Sequence, residues 1–155
     1  MISHATKGAW GVGRILGAAF LLLTLASCAS VRSWDLLDRR GDFEDKQRDY
    51  TQSIRWGEFD RARQFVAKDA IERWDASRPL LSDVRFSEYA TKSNEFDIEK
   101  MTATVRVTYN GYKVNSLVER TVEEKQEWFR DPVTHQWQVR PDLTVLSAGI
   151  TGTTP

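Results

Sequence analysis

The sequence predicts an α+β domain in which N-terminal helices pack on one face of a four-stranded antiparallel sheet. Three observations carry this. Apolar side chains recur at helical spacing through Trp74, they alternate strictly over residues 101–109, and turn residues divide the second half into short runs.

The first helix is read from Asp42 to Trp56, where Phe43, Tyr50 and Ile54 share one stripe and the other face is charged. Glu44 and Arg48 stand four apart in the favourable order, and Gly57 suits the C-terminal cap. A second helix is expected from Glu58, with Phe59, Ala62, Phe65 and Val66 inward. Asp69 with Glu72 reads as a capping pair opening a third helix through Ile71 and Trp74, and Pro79 closes the helical half.

Val84-Arg85-Phe86 begins a first strand that runs towards Tyr89. In the second, Met101, Ala103, Val105, Val107 and Tyr109 face one way and Thr102, Thr104, Arg106 and Thr108 the other. Asn110-Gly111 predicts a tight hairpin, because both residues tolerate positive φ. A long return strand from Tyr112 to Trp128 follows, with a bend or bulge near its middle. Asp131-Pro132 turns the chain into a last strand, His135 to Arg140, carrying Trp137 and Val139. Residues 147–155 show no pattern and are expected to be a mobile tail.

Residues 1–27 have another character: a start with Lys7 and Arg14, an apolar centre from Ile15 to Leu25, and small residues ahead of Cys28, the only cysteine. That is the layout of a signal peptide, and it is too short for a bilayer span, which needs about 20 apolar residues. Leu25-Ala26-Ser27-Cys28 resembles the lipobox of bacterial lipoproteins, in which the cysteine becomes the acylated first residue. The resemblance implies that Cys28 is the lipidation site, carrying palmitate-type chains that hold the protein to a membrane. It also implies a mature domain without thiol chemistry. Ala29 follows where aspartate commonly signals inner-membrane retention in Gram-negative lipoproteins, so the expected place is the periplasmic face of the outer membrane. The chain then divides into a signal (1–27), an anchor and short tether (28–41), an α+β domain (42–146) and the tail (147–155).

Loss of Lys7 and Arg14 takes the formal balance from 22 − 22 to 20 − 22, a charge too small to recruit nucleic acid. Trp34, Trp56, Trp74, Trp128 and Trp137 all lie beyond the signal and indicate a packed domain. His135 is its one histidine, so no metal site with histidine or cysteine spacing is expected, and no cofactor motif is present. Glu123 and Glu124 are neighbours on a strand and face opposite ways, while Asp97 and Glu99 share a face. No catalytic residue is assigned.

The inward row of the return strand is expected to be Val114, Ser116, Val118, Arg120, Val122, Glu124, Gln126 and Trp128. Arg120 interrupts an apolar face there. Either a bulge or its long stem returns the guanidinium to water, or it marks a polar pocket with Tyr109, Glu124 and Trp128.

The segment from Tyr50 through Ile54-Arg55-Trp56-Gly57-Glu58-Phe59-Asp60-Arg61-Ala62 to Phe65-Val66, followed by long strands and a late tryptophan strand, resembles the nuclear transport factor 2-like superfamily over residues 42–140. Its small bacterial lipoproteins of unknown function are the nearer likeness. The resemblance implies a cone, with a curved sheet around the first helix. Superfamily members include steroid isomerases and dehydratases as well as binding and assembly modules, and resembling folds commonly dimerise through the open sheet face. A repeat of Gly41-Asp42-Phe43-Glu44 at Gly57-Glu58-Phe59-Asp60 stands only 16 residues on (57 − 41), whereas tetratricopeptide units recur at about 34.

Two functions follow. The leading one is a lipid-anchored, non-catalytic module that meets an envelope protein partner, with a homodimer also open. The alternative is a small-ligand protein or isomerase- or dehydratase-like enzyme using the cone pocket.

Overall fold

A computed structural model describes residues 38–116 and 118–152. The signal, Cys28 and the tether through residue 37 lie outside them. Contacts divide the chain after Gly41, and the sheet and the core belong to the unit beginning at Asp42.

Helix α1 covers residues 38–56 and ends at Gly57, whose φ of +72° is the left-handed C-terminal conformation that favours glycine. Within the unit it buries Phe43, Gln47, Tyr50, Thr51, Ser53 and Ile54, one stripe at helical spacing. Helix α2 (Phe59–Ala62) is a single turn that tightens into a 3-10 turn at Arg63–Phe65. A further 3-10 turn (Lys68–Ala70) leads into α3 (Ile71–Ser77), and a third (Arg78–Leu81) contains Pro79. The expected capping pair does not form: Ala70 occupies the N-cap of α3 and Asp69 accepts from Arg140 Nε at 2.9 Å instead.

The sheet is an open antiparallel meander in the order β1 (Val84–Asp97), β2 (Thr102–Lys113), β3 (Arg120–Arg130), β4 (Trp137–Arg140). The α+β class and four antiparallel strands are therefore as the sequence predicts. β1 is longer than expected and carries two bulges, between Phe86 and Glu88 and between Thr91 and Ser93.

The Asn110-Gly111 hairpin is corrected. Both residues lie inside β2, opposite Thr121 and Arg120; β2 continues to Lys113 and β3 begins at Arg120. Gly111 answers a packing demand. A Cβ there would stand 2.9 Å from the Arg85 carbonyl oxygen and the Phe86 ring, and 3.2 Å from Ile150 Cδ1. The proposed strand residues Val114 and Val118 are 52% and 55% exposed in that connection.

The chain end is a second correction. Leu143–Thr151 forms helix α4, capped by Asp142, which accepts from the Thr144 N–H at 3.0 Å, and closed by Gly152. Leu143, Leu146 and Ile150 are buried, so the patternless tail expected from residue 147 is helical through Thr151. A third concerns Asp97 and Glu99. Glu99 lies in the β1–β2 turn, and its N–H, with that of Lys100, donates to Asp97 Oδ1. Among the described residues no helix is long and apolar enough to cross a membrane.

The core forms where α1 and α4 meet the row Ala103, Val105, Val107 and Tyr109 of β2 and the row Val122, Glu124, Gln126 and Trp128 of β3. Aromatic rings dominate it. Phe43 lies 5.0 Å from Trp137 and 5.8 Å from Trp128, and Tyr50 lies 5.6 Å from Trp128, centroid to centroid.

Candidate functional site

Strand alternation turns every second residue of β3 inward, and that row reads valine, glutamate, glutamine, tryptophan. A carboxyl and an amide are thereby taken into an aromatic core, where each needs partners. β2 and α1 supply them. Tyr109 is on the facing row of β2, next to Glu124 through the pairing of Val107 with Glu124 and Tyr109 with Val122. Gln47, Tyr50 and Thr51 stand three and four apart on α1 and share its buried face.

The result is a closed hydrogen-bonded set. Tyr50 Oη donates to Glu124 Oε1 at 3.0 Å and Tyr109 Oη donates to Glu124 Oε2 at 3.2 Å. Gln126 Nε2 donates to Glu124 Oε2 at 2.8 Å and to Thr51 Oγ1 at 3.2 Å. Gln126 Oε1 accepts from Trp128 Nε1 at 3.1 Å and from Gln47 Nε2 at 3.2 Å, and Gln47 Nε2 also reaches Thr51 Oγ1 at 2.9 Å. Glu124 is 2% exposed; Tyr50, Tyr109, Thr51 and Gln126 are fully buried.

Burial sets the electrostatics. Loss of water pushes the Glu124 carboxyl above its ordinary range, and the bonds from Gln126, Tyr50 and Tyr109 pull it back only in part. Both tyrosines are raised well above their ordinary value, first by burial and then by the charge of Glu124. Their hydroxyls therefore stay protonated and act as donors. Each oxygen of the carboxyl has a donor from within the domain, so the set holds its own charge or proton in place.

Of the four residues expected around a pocket, Tyr109, Glu124 and Trp128 come together in this set. Arg120 does not. It is exposed, and its guanidinium lies at the end of α4, where a Cβ on Gly152 would stand 2.8 Å from Arg120 Nη1. The reason is where the strand starts: β3 begins at Arg120, so the residue has the inward parity but sits beyond the rim of the core. A cation there faces the negative end of a helix. Gln47, Tyr50 and Thr51 are partners that the sequence does not reveal. The periodicity of α1 marks Tyr50 as inward, but nothing local says which strand row it meets.

His135 is exposed at the end of the β3–β4 connection with φ +58°. Asp131 organises that turn by accepting from the N–H groups of Val133 and Thr134, and these bonds hold its carboxyl below the ordinary range. Among the described residues no three histidine, cysteine, aspartate or glutamate side chains are grouped to hold a metal.

A concavity of about 660 Å³ opens at the surface beside Trp56, lined by that ring, Phe59, Pro79, Leu81, Arg78 and Arg85 among others. A neighbouring one of about 400 Å³ shares Trp56, Gly57 and Arg85. Trp56 is 69% exposed and the Arg55 guanidinium lies 4.4 Å from its ring centroid.

No family model matches the chain, and neither does any curated protein or solved structure.

Proposed function

We propose that this chain is a lipid-anchored envelope protein whose domain works as a binding or assembly module, with a nuclear transport factor 2-like architecture, at the periplasmic face of the outer membrane. The anchor rests on the tetrad Leu25-Ala26-Ser27-Cys28 behind its basic and apolar run. Support for the binding role comes from one contrast. The interior polar groups around Glu124 satisfy one another, whereas a large aromatic ring, Trp56, stands in water beside Arg55 and borders two concavities that Arg85 also lines. Exposed tryptophan and arginine are the side chains that most often carry interface energy.

The alternative, an isomerase- or dehydratase-like enzyme using the interior, draws on one observation. A carboxyl raised by burial between two tyrosine hydroxyls is a group that proton-transfer sites employ. It would require the network to open and admit a ligand.

Intact-mass analysis of protein extracted from membranes tests the anchor: a chain beginning at Cys28 and heavier by acyl groups is expected, and a soluble chain with a free Cys28 thiol contradicts it. A photo-reactive residue in place of Trp56 tests the surface in intact cells. A discrete crosslink to an envelope protein is expected from that position and not from Lys125 on the sheet. Equal labelling from both, or none, contradicts a binding role for Trp56.

A further inference from the structure

The two concavities beside Trp56 meet at that ring and share Trp56, Gly57 and Arg85 in their walls. The larger, of about 660 Å³, extends over Phe59, Pro79 and Leu81, and the smaller, of about 400 Å³, over Phe86 and Tyr112. Leu81 and Phe86 are core residues, so each recess has an apolar floor, while Trp56 stands up from the surface between them. Gly57, at φ +72°, puts no side chain beside the ring.

Charge supplies the second observation. Acids that line or adjoin the groove are already paired: Asp75 with Arg63 and Asp60 with Arg78, each at 2.8 Å, Glu58 with Arg61 at 3.4 Å and Asp83 with Lys113 at 3.5 Å. Arg55 and Arg85 have no carboxylate partner among the described residues. Glu119 reaches the smaller recess only through Ser87, whose hydroxyl donates to it, so the lining keeps a net positive charge. Both free guanidinium groups are held ready. Arg85 Nη1 donates to the carbonyls of Ser82 at 3.1 Å and Val84 at 2.7 Å, which fixes the group and leaves Nε and Nη2 without a bond among the described residues. Two such donors form a fork that fits a carboxylate. Arg55 lies over the Trp56 ring at 4.4 Å, so the ring positions the cation while its N–H groups stay open.

Shape selects among acidic partners. A membrane surface meets side chains that stand out from a convex face, whereas two recesses flanking one ring fit a narrow chain. An extended peptide turns every second side chain the same way, about 6.6 Å apart. It can therefore lower an apolar side chain onto Phe59 and Leu81 beside Trp56 and keep carboxylates over the two arginines. Part of that charge contact is open to solvent, so salt should weaken it.

We propose that this groove binds an extended acidic segment of a partner protein, with its carboxylates on Arg55 and Arg85 and an apolar side chain against Trp56. The inference rests on Trp56 being a binding surface and adds the chemistry of what it binds. A random peptide library displayed on phage, selected on the detergent-solubilised full chain, tests it. Enriched sequences should carry aspartate and glutamate around an apolar residue. As synthetic peptides they should lose about tenfold or more in affinity towards Arg55→Glu and towards Arg85→Glu, and towards Trp56→Ala, with circular dichroism unchanged. Replacing the peptide acids by lysine should restore binding to the two glutamate variants. Neutral or basic sequences that still need Trp56 overturn the acidic partner and leave the surface standing. Acidic peptides indifferent to the arginine reversals overturn it too. No enrichment, with the Trp56 crosslink in cells retained, overturns the peptide mode alone, and loss of both overturns the surface with it. With the chain in phosphatidylglycerol vesicles, a photo-reactive residue at position 56 that labels lipid in preference to an added selected peptide also overturns the proposal.

Discussion

A carboxyl with 2% exposure survives in an aromatic core only because donors replace the lost water, and Glu124 has three: Tyr50, Tyr109 and Gln126. Glu124→Ala would strand all three and leave a cavity. It should cost about 3 kcal/mol in denaturant unfolding, and an effect within about 0.5 kcal/mol contradicts the burial. The sign of the pH effect follows from the raised carboxyl. An acid whose folded value lies above its unfolded one, about 4.3 for glutamate, stabilises fully below that unfolded value. The contribution is lost as pH rises through the folded value. Glu124→Gln has no such group, so its stability relative to wild type should improve as pH rises above the unfolded value and through the folded one. Asp75, Asp97, Glu127 and Asp131, all lowered, pull the other way in both proteins and cancel in the difference. A difference flat with pH contradicts the assignment. Trp137 gives a complementary case. It is buried against Phe43 and Phe96, yet its indole N–H has no acceptor. Trp137→Ala should cost about 3–5 kcal/mol, whereas Trp137→Phe should cost clearly less, because it keeps ring contacts and removes an unsatisfied donor. Equal losses in thermal unfolding would show that the donor is satisfied.

At the level of elements, α1, the alternation of β2 and the inward row Val122, Glu124, Gln126 and Trp128 are legible in the sequence because each rests on periodicity within one segment. Where the reading fails, a residue serves a distant neighbour. Gly111 looks like a turn residue and is a packing residue, and the real turn hides behind Val114 and Val118, apolar side chains in an exposed connection. Helix α4 escapes detection because Gly149 and the β-branched Thr144, Val145 and Thr151 are weak helix formers. Gly149 is required by the partner strand: a Cβ there would stand 2.5 Å from Val122 Cγ2. Two expectations follow. Gly111→Ala should destabilise by about 2 kcal/mol, since the Arg85 carbonyl oxygen is backbone and cannot step aside. Ile150→Ala, which uncovers the same contact from the helix side, should cost about 2–4 kcal/mol. Unfolding midpoints near wild type for both would contradict the packing of α4 against β2.

Across the whole domain, the groups with polar chemistry sort by depth. Glu124, Gln126, Tyr50, Tyr109 and Thr51 are matched inside, whereas Trp56, with the Arg55 guanidinium over its ring, stands in water outside. That distribution is why the proposed role is placed on the surface, and everything in it depends on the interior being closed. The most direct check is a carbon-detected nuclear magnetic resonance titration of glutamate carboxyls, with Glu124→Gln used to assign the resonance. Glu124 should titrate above the ordinary glutamate value of about 4.3, and the Tyr50 and Tyr109 hydroxyl protons should be visible through slow exchange with water. A Glu124 that titrates at or below the ordinary value, with both hydroxyl protons lost to rapid exchange, would mean that water enters the set and would contradict a closed interior.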